Sequence, residues 1–238
     1  MFRRSILARV GVVATGSLLL AGLVAGSSGA APAKVKPTPS YLAAYYAYPA
    51  TVSSIQATIT LPTYKCKKTE NITVGMETYD NTASAWSGPY VYLACAKIGH
   101  KYGPSYTTGL EVDGVTTDPA LTMQAGNSIE FTQTCGPSGS VATIDNLTTT
   151  ESVTASSSNP GSCTDAGVGE DGVSGKGPGG QDPLPKFGAV DYTNVMVNGE
   201  PIGTFAPVAI NYYEGNKNVI TVGPITDGGT AFVTTQGS

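Results

Sequence analysis

The chain is short of the side chains on which most catalytic sites are built. It has one histidine, His100, so a Ser-His-Asp or Cys-His system would have to form around that residue. His100 sits in Ile98-Gly-His-Lys-Tyr102, a turn-like segment with no accompanying G-x-S-x-G elbow, and reads as a solvated loop residue. No C-x-x-C pair exists, which with a lone histidine leaves no usual zinc ligand set. Gly175-Lys-Gly177 lacks the spacer and the Ser/Thr of a phosphate loop. Glu170, Asp171 and Asp182 show no regular oxygen-ligand spacing, so neither a metal nor a cofactor is expected. Internal repeats of 20–50 residues and long amphipathic helical stretches are also missing. The Ala43–Ala47 patch runs straight into Pro49, which disfavours helix there.

One long hydrophobic run is present, Val10 to Ala25, and it follows Arg3, Arg4 and Arg9. Small residues and Ala31-Pro-Ala33 come after it, the pattern of a cleavable signal peptide. The run is short for a bilayer and no cysteine lies near its end, so neither a membrane anchor nor a lipoprotein is expected. The expected organisation is a signal peptide over 1–33, an N-terminal extension over 34–49 and one domain over 50–238. Cleavage leaves 205 residues with 10 Lys+Arg against 17 Asp+Glu, a formal charge of −7. That balance argues against nucleic acid or an anionic membrane as partner. The expected product is a secreted, extracellular monomer.

Four cysteines remain: Cys66, Cys95, Cys135 and Cys163. An even count in an exported chain points to two disulfides with three connectivities. Sequential pairing, Cys66–Cys95 and Cys135–Cys163, closes two short loops and is the expected one.

The body of the chain reads as strand. Ser54 to Leu61 alternates apolar and polar residues, and Tyr90–Cys95 and Ser128–Thr134 each follow turn residues. Val141–Ile144 and Ser152–Ala155 flank Asp145-Asn-Leu-Thr-Thr149 at hairpin spacing. Ala189–Val197, Pro207–Tyr213, Asn218–Val222 and Ala231–Thr235 are rich in Val, Ile, Thr or Tyr. Many short strands with close turn signals imply an all-β sandwich or barrel. Gly167 to Gly180, dense in Gly and Ser, reads as a surface loop.

Several segments, in order, resemble the glutamic peptidases (the eqolisin family). Ala50–Pro62 resembles that family's first core strand, and Thr73-Val-Gly-Met-Glu77 its Trp-Val-Gly-Ile/Leu-Asp-Gly. Leu121–Asn127, Ile144-Asp-Asn-Leu-Thr148 and above all Phe187-Gly-Ala-Val-Asp-Tyr-Thr-Asn194 match further pieces. The resemblance implies a two-sheet antiparallel β-sandwich of the concanavalin/lectin-like jelly-roll kind. It also implies a Gln and a Glu side by side in the cleft of the concave sheet, the Glu activating a water and the Gln holding it and the oxyanion. The Gln falls at Leu93, or at Ala94 with a one-residue slip, and the Glu at Ala166. Neither apolar side chain can serve. Glu170, four residues on, would be displaced about 13 Å along its strand. Glu77 stands where the family has Asp, and Glu111 matches an acidic cleft position the family often keeps.

Tyrosine supplies 13 of the 19 aromatic residues. Tyr41, Tyr45, Tyr46 and Tyr48 cluster early, and Tyr90, Tyr92, Tyr102 and Tyr106 lie near the implied cleft. Tyrosine joins a rigid apolar face to a hydroxyl and suits recognition of peptides or sugars. Glu77, Tyr90, Tyr92 and Glu111 are therefore the candidate cleft-binding residues. Two functions stand: a secreted, non-catalytic protein on a glutamic-peptidase scaffold that binds peptide or polysaccharide, and an acid-acting glutamic endopeptidase.

Overall fold

Ser54–Thr60 shows why this chain builds sheets: Ile55, Ala57 and Ile59 fall on one face and are buried, while Gln56 and Thr60 face outward. The computed structural model describes residues 40–173, 180–214 and 217–237. Among them the regular structure is strand, with short 3-10 turns between.

One sheet has seven strands: β1 (Leu42–Ala47), β3 (Asn71–Asp80), β4 (Ala85–Ile98), β5 (Lys101–Val112), β6 (Val115–Thr117), β10 (Cys163–Gly172) and β13 (Val208–Ile210). Their order is β13-β1-β10-β3-β4-β5-β6. The other sheet contains β2 (Ser54–Thr60), β7 (Ser128–Gly136), β8 (Gly139–Asn146), β9 (Glu151–Ser157), β11 (Ala189–Val197), β14 (Tyr212–Glu214), β15 (Lys217–Val222) and β16 (Phe232–Gln236), with the two-residue β12 (Glu200–Pro201) on β11. Its order is β14-β15-β16-β11-β2-β7-β8-β9. Pairing is antiparallel throughout, as the short connections require.

The two sheets press their apolar faces together. Val74, Val91, Leu93 and Val168 from the first meet Ile55, Phe131, Tyr192 and Phe232 from the second, all almost completely buried. The Tyr192 and Phe232 rings stack at 4.6 Å. Burying a side chain of this kind contributes roughly 1.5–3 kcal/mol, so the inner faces fix each strand's register. A two-sheet antiparallel sandwich is what the sequence pattern and the family resemblance implied.

Three expectations need correction. Residues 42–47, assigned to an N-terminal extension, form β1 in the interior of the seven-stranded sheet, between β10 and β13. Ala43, Tyr45 and Ala47 face the core while Ala44 and Tyr46 are buried on the other side, so no polar alternation marked this strand. Pro207–Tyr213 is two strands, not one: β13 joins the first sheet and β14 the second. Between them the Asn211 side chain accepts a bond from the Val222 amide at 2.8 Å. Gly167–Gly172, read as the start of a loop, belongs to β10, whose Ala166, Val168 and Glu170 point inward and hold it in the sandwich. Within the rest of that Gly-rich run, 174–179 lie outside the described residues.

Both disulfides join in the expected pairs, Cys66–Cys95 and Cys135–Cys163. The second ties β7 to β10 and so staples one sheet to the other. Non-reducing peptide mapping should recover these two cross-linked peptides, and reduction should lower the melting temperature, each bridge contributing roughly 2–4 kcal/mol. Recovery of Cys66 joined to Cys163 would contradict the fold.

Candidate functional site

Directly paired residues of neighbouring strands point to the same face, so the registers define what lines the outer face of the seven-stranded sheet. Tyr46 pairs with Gly167, Gly167 with Glu77, and Gly88 with Glu111. The β3–β4 register sets Glu77 beside Gly88. One rank across five strands therefore reads Tyr46, Gly167, Glu77, Gly88, Glu111. The next reads Ala44, Gly169, Gly75, Tyr90, Gly109, and a third Leu42, Asp171, Thr73, Tyr92, Thr107. Most of these residues border a cleft. Its cavity volume of about 40 Å³ holds only a few waters; it is an open groove floor, not a deep pocket.

Glycine keeps this floor low where a ring must cross it. A Cβ on Gly167 would lie 2.5 Å from the Tyr46 ring, and one on Gly109 would lie 2.1 Å from the Tyr90 ring. Tyr46 can thus lie across β10, and its hydroxyl donates to the Glu77 carboxylate. Tyr90 lies across β5, with its hydroxyl 3.4 Å from that of Tyr92. Gly88 leaves the space between Glu77 and Glu111 free of any side chain, with the two Cα atoms roughly 10 Å apart at two strand spacings. At one lip four rings touch in sequence. Tyr48, 58% exposed, stacks on Tyr46 at 6.2 Å, Trp86 meets Tyr46 edge-on at 6.4 Å, and Tyr79 tilts against Trp86 at 5.1 Å.

The cleft brings together Glu77, Tyr90 and Glu111 of the candidates named from sequence, with Tyr92 in the same face. It adds Tyr46, Trp86 and Asp171, which sequence reasoning did not single out for this site. Tyr106 is turned away, its hydroxyl donating to the Pro62 carbonyl at 2.7 Å. Leu93 and Ala166, the positions assigned to the family's dyad, are completely buried and belong to the hydrophobic core. Their register assignment is corrected: a slip of one residue moves a strand's side chains to the opposite face. The cleft-lining positions on β4 are Trp86, Gly88 and Tyr90, and on β10 Gly167, Gly169 and Asp171. Ala94, the alternative Gln position, does not line the cleft. Neither strand offers a Gln or Glu to the groove. The chain's five glutamines, Gln56, Gln124, Gln133, Gln181 and Gln236, all lie off the strands of this sheet.

Glu170 faces the opposite way from its neighbour Asp171, so the two cannot share a cation. Its carboxyl is wholly inside the sandwich, where Thr234 Oγ1 donates to Oε1 and the Tyr192 hydroxyl is a further polar neighbour. Burial pushes its pKa up to about 8, against the smaller lowering effect of those hydroxyls. Burial, then the Glu170 charge, raises Tyr192 as well. Asp80 lies near the sulfurs of Cys135 and Cys163, but these form a disulfide. Its Oδ1 accepts the amides of Thr82, Ala83 and Ser162, so the cluster is structural. His100 is exposed in the β4–β5 turn, as expected. No helix among the described residues is long and apolar enough to cross a membrane.

Comparison with known proteins gives one answer. The Peptidase A4 family model matches residues 43–235. Scytalido-glutamic peptidase, solved with a peptide-based transition-state analog, superposes with a TM-score of 0.62 at 20% identity, covering 83% of this chain and 98% of its own. SCP-B, an eqolisin solved with the tripeptide Ala-Ile-His, gives 0.64 at 20% identity and the same coverages. Aspergilloglutamic peptidase from Aspergillus niger gives 0.53 at 18%, covering 70% and 99%. A search of curated proteins found no match.

Two measurements check this geometry. Because the folded pKa of Glu170 lies above its ordinary value of 4.5, its contribution to stability is complete below about pH 4.5 and is lost as pH rises through about 8. The melting temperature of Glu170→Gln should therefore fall less than that of the unaltered protein over that interval; parallel curves would refute the buried carboxyl. Ala166→Glu, which would place a carboxylate in the core, should destabilise by several kcal/mol in thermal or urea unfolding. A cleft-facing residue 166 would tolerate it.

Proposed function

This chain belongs to the peptidase A4 family, the glutamic peptidases, and we propose that it is a secreted, non-catalytic binding protein on that family's scaffold. The single observation that carries this reading does not depend on the register within a strand: none of the chain's glutamines stands on the seven-stranded sheet, and β4 and β10 border the cleft with glycines, aromatics, Ser87, Val168 and one aspartate. A glutamic peptidase needs a carboxylate base and an amide donor around one water. Glu77 and Glu111 could supply a base, but among the described residues no amide side chain lines the cleft with them. What remains is a groove with ring faces, hydroxyls and carboxylates, able to hold an extended peptide or polysaccharide. Two solved relatives were crystallised with a peptide-based transition-state analog and a tripeptide, which supports a polymeric ligand for this scaffold. Export is supported by the Arg-led apolar run at the N-terminus and by the two disulfides.

The family match over residues 43–235 favours a second reading, an acid-acting endopeptidase that uses one of the cleft carboxylates without an amide partner. Incubation with an unfolded protein substrate between about pH 2 and 5 decides between them. The purified protein should leave the substrate intact, since no amide donor stands beside a carboxylate to hold the water and stabilise the oxyanion. Digestion that persists through repurification and disappears in Glu77→Gln or Glu111→Gln would establish the peptidase reading.

A further inference from the structure

Hydrogen-bonding inventory distinguishes the polymers that could occupy the cleft. Among the described residues that line it there is no Lys, Arg, His, Asn or Gln, while Glu77, Glu111 and Asp171 are present. Carboxylate oxygens are hydrogen-bond acceptors. The donors are few: tyrosine and threonine hydroxyls, the Trp86 ring N–H and backbone groups not already used in the sheet. A peptide presents as many carbonyl acceptors as N–H donors and would leave carbonyls without partners. This groove lies on the face of a sheet, away from an edge strand that could pair with a peptide backbone. An acidic polymer would be repelled.

A neutral sugar chain fits on both counts. Its hydroxyls are donors that carboxylates accept, and the C–H faces of its rings pack on aromatic faces. The structure supplies those faces beside the carboxylates: exposed Tyr48, and half-buried Trp86 and Tyr79 in contact with each other, with the buried Tyr46 ring packed behind Tyr48 and Trp86. Gly88, between Glu77 and Glu111, lies so close to the β3 backbone that a Cβ there would meet the Met76 carbonyl at 2.0 Å, so no side chain stands between the two carboxylates.

We infer that the cleft binds a neutral polysaccharide, seated on the Tyr48, Trp86 and Tyr79 rings, which Tyr46 backs from below, with its hydroxyls donating to Glu77 and Glu111. The inference rests on reading the cleft as a non-catalytic binding site.

Trp86 is the chain's only tryptophan, so its emission reports on these rings alone. The exported protein is titrated with soluble neutral polymers (β-1,3-, β-1,4- and α-1,4-glucan oligomers, a galactomannan and a chito-oligosaccharide), with alginate, and with a peptic digest of casein. At least one neutral sugar polymer should shift the emission saturably, and alginate should not. Tyr48→Ala, which removes an exposed ring outside the strands, should weaken that binding up to about tenfold with little change in melting temperature; Glu77→Gln should weaken it several-fold. If casein peptides shift the emission and no neutral sugar does, the binding reading stands and the polysaccharide inference falls. If none of the probes does, both fall. Sugar binding seen by calorimetry but indifferent to Tyr48→Ala and Glu77→Gln lies elsewhere and overturns the inference too.

Discussion

The twofold period of the extended chain, locked by burial of one face, is the constraint from which the rest of this molecule follows. Once Val74, Val91, Leu93 and Val168 are committed to the space between the sheets, every residue between them is committed to the groove. The chemistry available to the protein is thereby reduced to one residue in two on five strands. On β10 that selection is decisive, because the strand carries both Glu170 and Asp171 and the fold turns the glutamate inward. A carboxylate that would look functional in a list of residues becomes part of the core, and a less conspicuous aspartate becomes part of the surface.

The sequence made the architecture legible where alternation is clean. Ser54–Thr60, Ser128–Gly136 and Ala189–Val197 each show one apolar face, and the turn residues between strands mark the connections. It failed where both faces of a strand are apolar or both are small. β1 offers Ala and Tyr on either side, so nothing in its pattern says which ring points where, and Tyr46 was missed. β10 offers glycine, which carries no signature of facing at all. The site was half legible for the same reason. Glu77 and Glu111 could be named because segments around them resemble family motifs, whereas the dyad positions were set on the wrong face because resemblance over a few residues does not fix register. Only cross-strand pairing does.

Glycine has a constructive role here that composition alone hides. Gly167 and Gly109 make room for two tyrosine rings to lie along the sheet instead of standing from it, which turns a strand surface into an aromatic floor. A hydrogen in place of a side chain likewise lets Gly88 sit against the β3 backbone between two glutamates. In this chain the outer face of the seven-stranded sheet is thereby paved with rings and bordered by carboxylates.

The place of Tyr46 has a mechanical consequence. Its ring spans from β1 over β10 to Glu77 on β3, so one side chain bridges three strands near the sheet's margin. Beyond β1 the sheet continues only through the three residues of β13, a short outer strand with few backbone bonds. Fraying of such a margin is the cheapest opening available to a sandwich, and here it would carry away one wall of the groove. The hydroxyl–carboxylate bond therefore acts as a clasp: it makes peeling of β1 cost a desolvated contact as well as backbone pairing, and it couples the integrity of the groove to the integrity of the sheet's edge.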